Sequence, residues 1–447
     1  MTPAQARRWI AELEILGMRF GLERMGALLE QLGHPQRAAP ALHIVGTNGK
    51  SSTARLASAA VASQGHRVGT YLSPHVTDWN ERVQIEGAPV GDGAFAAAAT
   101  AVRRAADRLG LTEGDAVTQF EALTAIAFWA FREAGVRFCV IEAGLGGRYD
   151  ATNVLRPDAV VVLTNIALEH TELLGDTEAQ IAAEKLAVCP DGATRLVVGR
   201  LSDAGRGAVV AECGRRGLVP LYYGDGLRAA EGEGGVDVTT PRGVYAAVPL
   251  GLLGGFQRDN LAVALAAAEL LLGAPLGVEP LRSAIGAVQM PGRLEMFSGA
   301  PAVLLDGAHN PAGMQAMVQA LPALVRTHRP VVALISVLGD KDAGAMLDAL
   351  GDVADLIIAT RSRHARAVPA DQLADIARAQ GHRVEAVADP VAALDAARTA
   401  AGPGGIVVVA GSLYLLRDLR PRLTAVGASA PAKLARARKG NDPYEAK

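Results

Sequence analysis

Short apolar runs alternate with alanine-rich helical patterns along most of the sequence, and this alternation is what most limits the fold. Runs of this kind, each followed by a helical pattern or a turn, predict parallel strands joined by helices. The first series consists of the runs ALHIV (41–45), RVGTYL (67–72), RFCVIE (137–142) and DAVVVLTN (158–165). We therefore expect an α/β protein with a mostly parallel sheet covered by helices.

A second series of the same kind begins near residue 302 and predicts a separate, smaller α/β domain. Its apolar runs are AVLLD (302–306), VVALIS (331–336), LIIAT (356–360), RVEAVAD (383–389) and GIVVVAG (405–411). Between the two series, MPGRLE (290–295) has the Pro-Gly typical of a hinge. The predicted domains are 1–296 and 297–425, and the tail 426–447, which has few large apolar residues, is expected to be disordered. The glycine-rich segment 192–250 is interpreted as a β-rich excursion at the edge of the first sheet.

Composition excludes several classes of protein. The chain has 447 residues and a net charge of −2, with an isoelectric point near 6.5. This charge gives no electrostatic reason to expect nucleic acid as a partner. Its three cysteines lack the spacing of a disulfide framework or a zinc site, which fits a reducing compartment. No apolar run reaches the roughly 18 residues that a membrane span requires. We expect a cytoplasmic protein without a membrane partner.

The stretch HIVGTNGKSST (43–53) lies where a predicted strand gives way to a helix. Glycines let the backbone approach a ligand closely, and the amino end of a helix together with Lys50 can neutralise phosphate oxygens. The usual phosphate-loop pattern has a glycine where this chain has Ile44. The alternative is a glycine turn that merely connects the strand to the helix.

Polar residues follow three strands of the first series. Ser73 and Glu142 come at strand ends, and His170 follows the next strand. The carboxyl ends of parallel strands meet at one edge of a sheet, so these side chains are candidates for a Mg²⁺ site. The alternatives are a turn serine, a solvent-facing acid and a surface histidine, and histidine is an unusual ligand for Mg²⁺.

The second series and one helix of the first add further candidates. Asp306 and His309, in DGAHNP, come just past a strand, where an Asx-turn with a helix cap is the alternative. Arg293 is a candidate phosphate contact or a solvated hinge residue. Lys185, in IAAEKLAV, would by its pattern alone be a solvated lysine of a helix.

Taken in order, the motifs of this chain resemble those of the folylpolyglutamate synthase/dihydrofolate synthase family, a branch of the Mur-type ATP-dependent ligases. The resemblance runs from about residue 15 to 420. The strings that carry it are GTNGKSS, YLSPHVTDWNERVQIEG, FEALTAIAF, EAGLGGRYDATNV, TNIALEHTELLGDTEAQIAAEK, GFQRDN, PGRLE, LDGAHNP, LGDKD and GSLYLL. This chain departs from the family pattern at Ser51, which replaces a glycine, and at Glu169, which replaces an aspartate.

The resemblance implies a fold and a set of site residues. The fold is a P-loop-containing, Mur ligase-like central domain with a mostly parallel sheet, followed by a smaller Rossmann-like C-terminal α/β domain. Two magnesium ions are implied at Ser73, Glu142 and His170, a carbamylated lysine at Lys185, and contacts to catalysis or the incoming glutamate at His309 and Ser412. The residues implied to bind ATP are Gly46, Thr47, Asn48, Gly49, Lys50, Ser51, Ser52, Asn260, Arg293 and Asp306.

The implied activity is ATP-dependent addition of L-glutamate to dihydropteroate, to reduced folates that already carry glutamate, or to both. A substrate carboxylate would become an acyl phosphate, which the amino group of glutamate then attacks. We expect a monomer. Two alternatives remain open: a Mur-type ligase acting on another carboxylate such as a cell-wall precursor, and a nucleotide-binding regulator without catalysis.

Overall fold

The computed structural model describes residues 1–16, 19–111 and 115–426, and the tail predicted to be disordered lies almost entirely outside these residues. Contacts divide the described chain into two compact units. The first consists of Met1–Leu250 and Gly255–Val288, and the second of Gly251–Gly254 and the chain from Gln289 onwards. This division falls between Val288 and Gln289, whereas the sequence predicted a boundary between 296 and 297.

A sheet of eight strands, as far as the chain is described, forms the centre of the first unit. Its order is β4-β3-β2-β5-β1-β6-β7-β8. Strands β2, β5, β1, β6, β7 and β8 run parallel to one another, whereas β3 and β4 form an antiparallel edge next to β2. The strands are β1 (Ala41–Val45), β2 (Val68–Tyr71), β3 (Val83–Ile85), β4 (Ala88–Pro89), β5 (Phe138–Glu142), β6 (Val160–Leu163), β7 (Leu196–Val198) and β8 (Pro220–Tyr222).

Helices cover both faces of this sheet, which buries it and explains why its central strands read as continuous apolar runs. The helices of the unit are α1 (Pro3–Glu12), α2 (Glu23–Gln31), α3 (Lys50–Ser63), α4 (Asp92–Leu109), α5 (Gln119–Glu133), α6 (Thr171–Leu174), α7 (Glu178–Leu186), α8 (Asp203–Arg216), α9 (Phe256–Leu272) and α10 (Val278–Gly286). Helices α3 and α9 contact each other, and both bury rows of alanine that allow close approach. None of the described helices is long and apolar enough to cross a membrane.

The segment 192–250 is only partly the β-rich excursion that the sequence suggested. Strands β7 and β8 extend the edge of the main sheet, but helix α8 lies between them. Ser202 caps this helix and Gly217 ends it in the left-handed conformation, so local signals favour a helix despite its internal glycines. The β-rich part is a separate antiparallel sheet of β9 (Arg228–Gly232), β10 (Gly235–Thr239) and β11 (Val244–Val248).

The second unit is a smaller α/β fold with a sheet ordered β12-β13-β17-β14-β15-β16, in which only β12 is antiparallel among the described strands. Its strands are β12 (Glu295–Phe297), β13 (Ala302–Leu305), β14 (Val331–Ile335), β15 (Leu356–Ala359), β16 (Val384–Ala386) and β17 (Ile406–Ala410). Its helices are α11 (Pro311–Leu324), α12 (Ala343–Gly351), α13 (Ala370–Ala379), α14 (Pro390–Ala401) and α15 (Leu413–Val426).

Candidate active site

The turn between β1 and α3 has the backbone of a loop that needs glycine. Gly46 has a φ of 145° and Gly49 a φ of 81°, both in the region that favours glycine. A Cβ atom on Gly46 would lie 1.9 Å from Oγ1 of Thr164, and one on Gly49 would lie 2.7 Å from Oδ1 of Asn260. Asn260, on α9, is thus placed directly against the loop.

The amino end of α3 lies directly after the glycine loop. The first N–H group that donates to a carbonyl one turn earlier is that of Thr53, which is 2.9 Å from the carbonyl oxygen of Gly49. The N–H groups of Lys50, Ser51 and Ser52 therefore lie at the positive end of the helix, where anions bind. This arrangement supports the phosphate interpretation of the motif over a plain connecting turn.

Residues after the neighbouring strand β6 brace this loop, and the sequence analysis did not single them out. Asn165 accepts hydrogen bonds from the N–H groups of Thr47 (3.1 Å) and Asn48 (2.8 Å), and Thr164 Oγ1 donates to the carbonyl of Asn48 at 2.6 Å. The signal was present, because β6 is a parallel neighbour of β1 and polar residues at its carboxyl end must meet the loop.

Two lysines point at the same carbonyl group. Lys50 Nζ donates to the carbonyl oxygens of Gly46 (2.9 Å) and Thr47 (3.0 Å), and Lys185 Nζ also donates to that of Gly46 at 2.9 Å. Lys185 is only 2% exposed, so the prediction of a solvated lysine, which its sequence pattern alone suggested, is wrong. Burial and, next, the charge of Lys50 lower the pKa of Lys185 to about 7. A neutral amine is therefore accessible near neutral pH.

The end of α7 that carries Lys185 is fixed by the loop after β5. A Cβ atom on Gly147 would lie 2.7 Å from the carbonyl oxygens of Glu184 and Lys185, so the loop backbone packs directly on the helix. The N–H of Arg148 donates to the carbonyl of Glu184 at 3.1 Å. The same loop begins at Glu142, which couples the positions of the two charged side chains.

Asp150 closes that loop on itself. Its Oδ2 accepts from the N–H groups of Gly144 (2.9 Å) and Leu145 (2.8 Å), and its Oδ1 accepts from the N–H of Thr152 at 3.0 Å. Asp150 is buried, which raises its pKa although these hydrogen bonds oppose the shift. The sequence analysis missed this residue.

Glu142 gathers the ends of three adjacent strands. It is 1% exposed; its Oε1 accepts from the hydroxyl of Ser51 at 2.7 Å and its Oε2 from the N–H of Ser73 at 3.0 Å. Strand β5 lies between β1 and β2, which is why these three residues meet. Carboxylate and hydroxyl oxygens are donors that suit Mg²⁺, so Glu142 and the two serines fit such an ion.

His170 is placed differently from Glu142. Its side chain is 43% exposed and lies 3.7 Å from Oε1 of Glu169, and its φ of 49° is left-handed. Among the described residues, no three His, Cys, Asp or Glu side chains are grouped so that they could hold a metal ion. The structure thus brings together two of the three predicted metal residues and leaves His170 on the surface beside α6.

In the second unit, Asp306 connects the PGRLE and DGAHNP segments. Its Oδ2 accepts from the N–H of Leu294 and its Oδ1 from that of Ala308, both at 2.8 Å. Burial raises the pKa of Asp306, and the positive charge of Arg293 opposes the shift. The predicted hinge is therefore built into the second unit and holds Arg293 next to Asp306.

His309 and Ser412 lie on two loops that touch. His309 Nδ1 is 2.8 Å from the carbonyl oxygen of Gly307, and the N–H of Gly411 donates to the carbonyl of Ala308 at 2.8 Å. Ser412 is 1% exposed and its Oγ accepts from the N–H of Tyr414 at 3.1 Å. Because β13 and β17 are parallel neighbours, both residues lie at one edge of the sheet.

Comparison with known proteins shows which proteins this chain is similar to. A family model described as the Mur ligase glutamate ligase domain matches residues 292–413. A dihydrofolate synthase/folylpolyglutamate synthase of Mycobacterium tuberculosis is 37% identical, over 79% of this chain and 76% of its own length. The Bacillus subtilis protein of the same name is 32% identical, over 94% of this chain and 98% of its own.

Solved structures agree over nearly the whole chain. The folylpolyglutamate synthase of M. tuberculosis complexed with ADP and AMPPCP matches with a TM-score of 0.84 and 33% identity, over 94% of this chain and 99% of that one. FolC of E. coli in complex with DHPP and ADP matches with a TM-score of 0.83 and 28% identity, over 95% and 98%.

The two α/β units, the glycine loop before α3 with the buried Glu142 beside it, and the matched glutamate ligase domain define an ATP-dependent ligase of the Mur type. Within that class the chain belongs to the dihydrofolate synthase/folylpolyglutamate synthase family. The fold expected from the resemblance is confirmed.

Proposed function

We propose that this chain joins L-glutamate through an amide bond to dihydropteroate, to folyl-(poly)glutamate, or to both. The carboxylate of the acceptor attacks the γ-phosphorus of ATP, and ADP leaves. The amino group of glutamate attacks the acyl phosphate, phosphate leaves, and the amine gives up a proton. The observation that carries the proposal is the glycine loop before α3, which lies beside two lysines and Glu142. It occurs in a chain whose relatives are named dihydrofolate synthase/folylpolyglutamate synthase.

The roles of the first unit follow from its contacts. The N–H groups at the start of α3 and the ammonium group of Lys50 bind the phosphates and neutralise charge as it moves during transfer. Asn260 lies against Gly49 and limits where the nucleotide fits. Ser73, Glu142 and, through a movement of its exposed side chain, His170 would hold Mg²⁺, which supplies positive charge to the phosphate oxygens.

Lys185 is proposed to act as a carbamate. Its neutral amine adds to the carbon of CO₂ and releases a proton, which replaces a cation by a carboxylate-like group. Burial and a pKa lowered to about 7 support this, because only the neutral amine reacts. An anion there would also relieve the repulsion between Lys185 and Lys50, which now share the carbonyl of Gly46.

The second unit is proposed to bind the remaining groups. Arg293 and Asp306 contact the nucleotide, and His309 with Ser412 receives the incoming glutamate. The support is their placement along one sheet edge, where α/β folds bind ligands. Small hydrogen-bonding groups held by backbone contacts, as Ser412 and His309 are, keep a fixed position for a substrate.

Glutamate-dependent release of ADP tests the proposal. We expect release with dihydropteroate or a reduced folate and none with cell-wall precursors, and we expect Lys50→Ala to abolish it while the protein remains folded. Release only with a cell-wall precursor would assign the chain to another Mur-type reaction. Absence of release with every acceptor, despite bound ATP, would identify a nucleotide-binding regulator.

A further inference from the structure

The loop after β15 carries an unusual set of cations. We call residues 361–367 the arginine loop; it contains Arg361, Arg363 and Arg366, all exposed, and the half-buried His364. Arg366 lies 3.5 Å from Oδ1 of Asp340. Within the described part of the chain, the guanidinium groups of Arg361 and Arg363 form no ion pair and no hydrogen bond. Two cations on one short loop thus lack a protein anion.

The backbone of the arginine loop is nevertheless held firmly. The carbonyl of Arg366 accepts from the N–H of Gly339 at 2.9 Å, and the N–H of Val368 donates to the carbonyl of Val337 at 2.9 Å. The N–H of Arg363 donates to Oδ2 of Asp418, on α15, at 2.9 Å. A backbone that is already fixed reduces the conformational entropy that is lost when a ligand binds.

The arginine loop adjoins the proposed glutamate site. The ring of His364 stacks on that of Tyr414, with centroids 4.0 Å apart and planes at 30°. The N–H of Tyr414 in turn donates to Oγ of Ser412 at 3.1 Å. Two contacts therefore lead from the arginine loop to Ser412.

A buried hydroxyl group supports a ligand site at the same place. Ser362 is 1% exposed, and its Oγ has no hydrogen-bond partner in the structure. Its N–H donates to Oγ of Ser336, at the end of β14, at 3.0 Å. Buried polar atoms are rarely left unpaired, so this oxygen is a candidate contact for a bound group.

The connections that leave the carboxyl ends of the central strands of this sheet change from one face to the other. Helix α12 contacts both α11 and α13, whereas α14 and α15 contact each other and also β17. The connection after β17 thus leaves on the other face from those after β13 and β14, its two neighbours. Ligands of open α/β sheets bind at such points, and Ser412 begins the connection after β17.

We propose that the arginine loop binds carboxylates of glutamyl units through Arg361 and Arg363. A guanidinium group matches a carboxylate with two parallel hydrogen bonds, and a glutamyl unit offers carboxylates of this kind. The inference rests on the proposed function. Two substrates carry this chemistry: free L-glutamate and the glutamyl tail of a folate.

Steady-state kinetics of Arg361→Ala and Arg363→Ala distinguish these sources. With dihydropteroate, which has no glutamyl tail, we expect the KM for glutamate to rise roughly 10- to 100-fold, because a hydrogen bond to a charged group is lost. The KM for ATP should stay within about twofold of wild type. Arg383→Ala is the matched control, since Arg383 is also exposed but precedes β16, at the amino ends of the parallel strands. Circular dichroism checks that each variant is folded.

Each outcome decides the proposal. A higher KM for glutamate with dihydropteroate assigns the loop to free glutamate. An unchanged KM there, with a KM that rises for a folyl-triglutamate more than for a folyl-monoglutamate, assigns it to the tail. No change in either KM, or the same change in Arg383→Ala, overturns the proposal.

If wild type acts on no folate, the proposed function fails separately. Calorimetry with L-glutamate then tests the arginine loop. Equal binding of L-glutamate to wild type and Arg363→Ala, or no binding, overturns the proposal.

Discussion

Both carboxylate oxygens of Glu142 accept hydrogen bonds from neighbouring loops, one from Ser51 and one from Ser73. Substitution of Glu142 is therefore the most direct test of the metal hypothesis. Its removal takes away the carboxylate of the predicted Mg²⁺ site and also the partner of Ser51 and Ser73. We expect Glu142→Ala to raise the Mg²⁺ concentration needed for half-maximal activity by about 10- to 100-fold or to abolish activity. A magnesium titration of ADP release measures this.

Glu30→Ala is the control for that titration, because Glu30 is exposed on α2. A titration curve of Glu142→Ala that matches both the control and wild type would remove Glu142 from the metal site.

Lys185 should make activity depend on CO₂ and on pH. With its pKa lowered to about 7, about half of the amine is neutral at pH 7, whereas an ordinary lysine is almost fully protonated there. The neutral, reactive fraction therefore falls about tenfold per pH unit below 7 and levels off above it. We expect wild type to lose activity when bicarbonate is removed and to regain it on addition, with slower recovery at pH 6 than at pH 8.

Lys185→Ala should be nearly inactive and partly rescued by small carboxylic acids, which refill the oxygen positions of the carbamate. Arg8→Ala, which removes an exposed basic side chain of α1, is the comparison for the effect of acids on activity. A fully active Lys185→Ala variant, or bicarbonate-independent wild type, would contradict the carbamate hypothesis.

Single residues were predictable where the sheet alone determines their position. Ser73 and Glu142 meet because strand ends meet, and the apolar runs before them already indicated those strands. His170 depends on the course of a loop after β6, which periodicity does not describe, and it lies on the surface. Only the family resemblance singled out Lys185, because a lysine in a polar helical pattern gives no indication that the loop containing Gly147 packs against that helix.

Among the elements, strands and helices of the βα series were predicted closely, since buried parallel strands give unbroken apolar runs. Strand β1 coincides with the predicted run 41–45, and the strands of the second unit differ from theirs at the ends. Helix α8 was missed, because its glycines and small residues hide the apolar period. Its capping serine was the better signal.

A buried polar cluster connects the small antiparallel sheet to α9. Tyr245, on β11, donates its hydroxyl to Glu269 of α9 and accepts from the N–H of Leu276 at 2.9 Å. Thr240 Oγ1 also donates to Glu269 at 2.7 Å. We expect Tyr245→Phe to lower the free energy of unfolding by about 1 to 3 kcal/mol, because it leaves buried groups without a partner. Urea unfolding measures this.

Val244→Ala is the control on the same strand, because Val244 is 68% exposed. If Tyr245→Phe unfolds at the same urea concentration as this control, the cluster does not hold the sheet on the helix.

At the scale of the whole molecule, Leu253 is the residue whose place in the sequence is most misleading. It is flanked by residues of the first unit, yet it packs in the core of the second. We expect Leu253→Ala to destabilise the second unit by about 2 to 5 kcal/mol through lost burial and a cavity. Trp9, Trp79 and Trp129 all lie in the first unit, so their fluorescence follows that unit while circular dichroism follows both.

The urea midpoint by circular dichroism should therefore fall more than the midpoint by tryptophan fluorescence. Leu168→Ala, an exposed leucine of the first unit, controls for the loss of side chain alone. Equal shifts of both midpoints would mean that the two units unfold together and that Leu253 does not act on one of them.

The course of the chain through Leu253 also restricts how the gene can be rearranged. The polypeptide passes between units after Leu250, after Gly254 and after Val288. A chimaera can take its second unit from a relative by one crossover at 288/289. Its segment 251–254 then still comes from this chain, although it packs in a core whose other residues come from the relative. Natural recombination and designed swaps should therefore succeed more often when both pieces are exchanged together, and two polypeptides split at 288/289 should depend on each other to complete the second core.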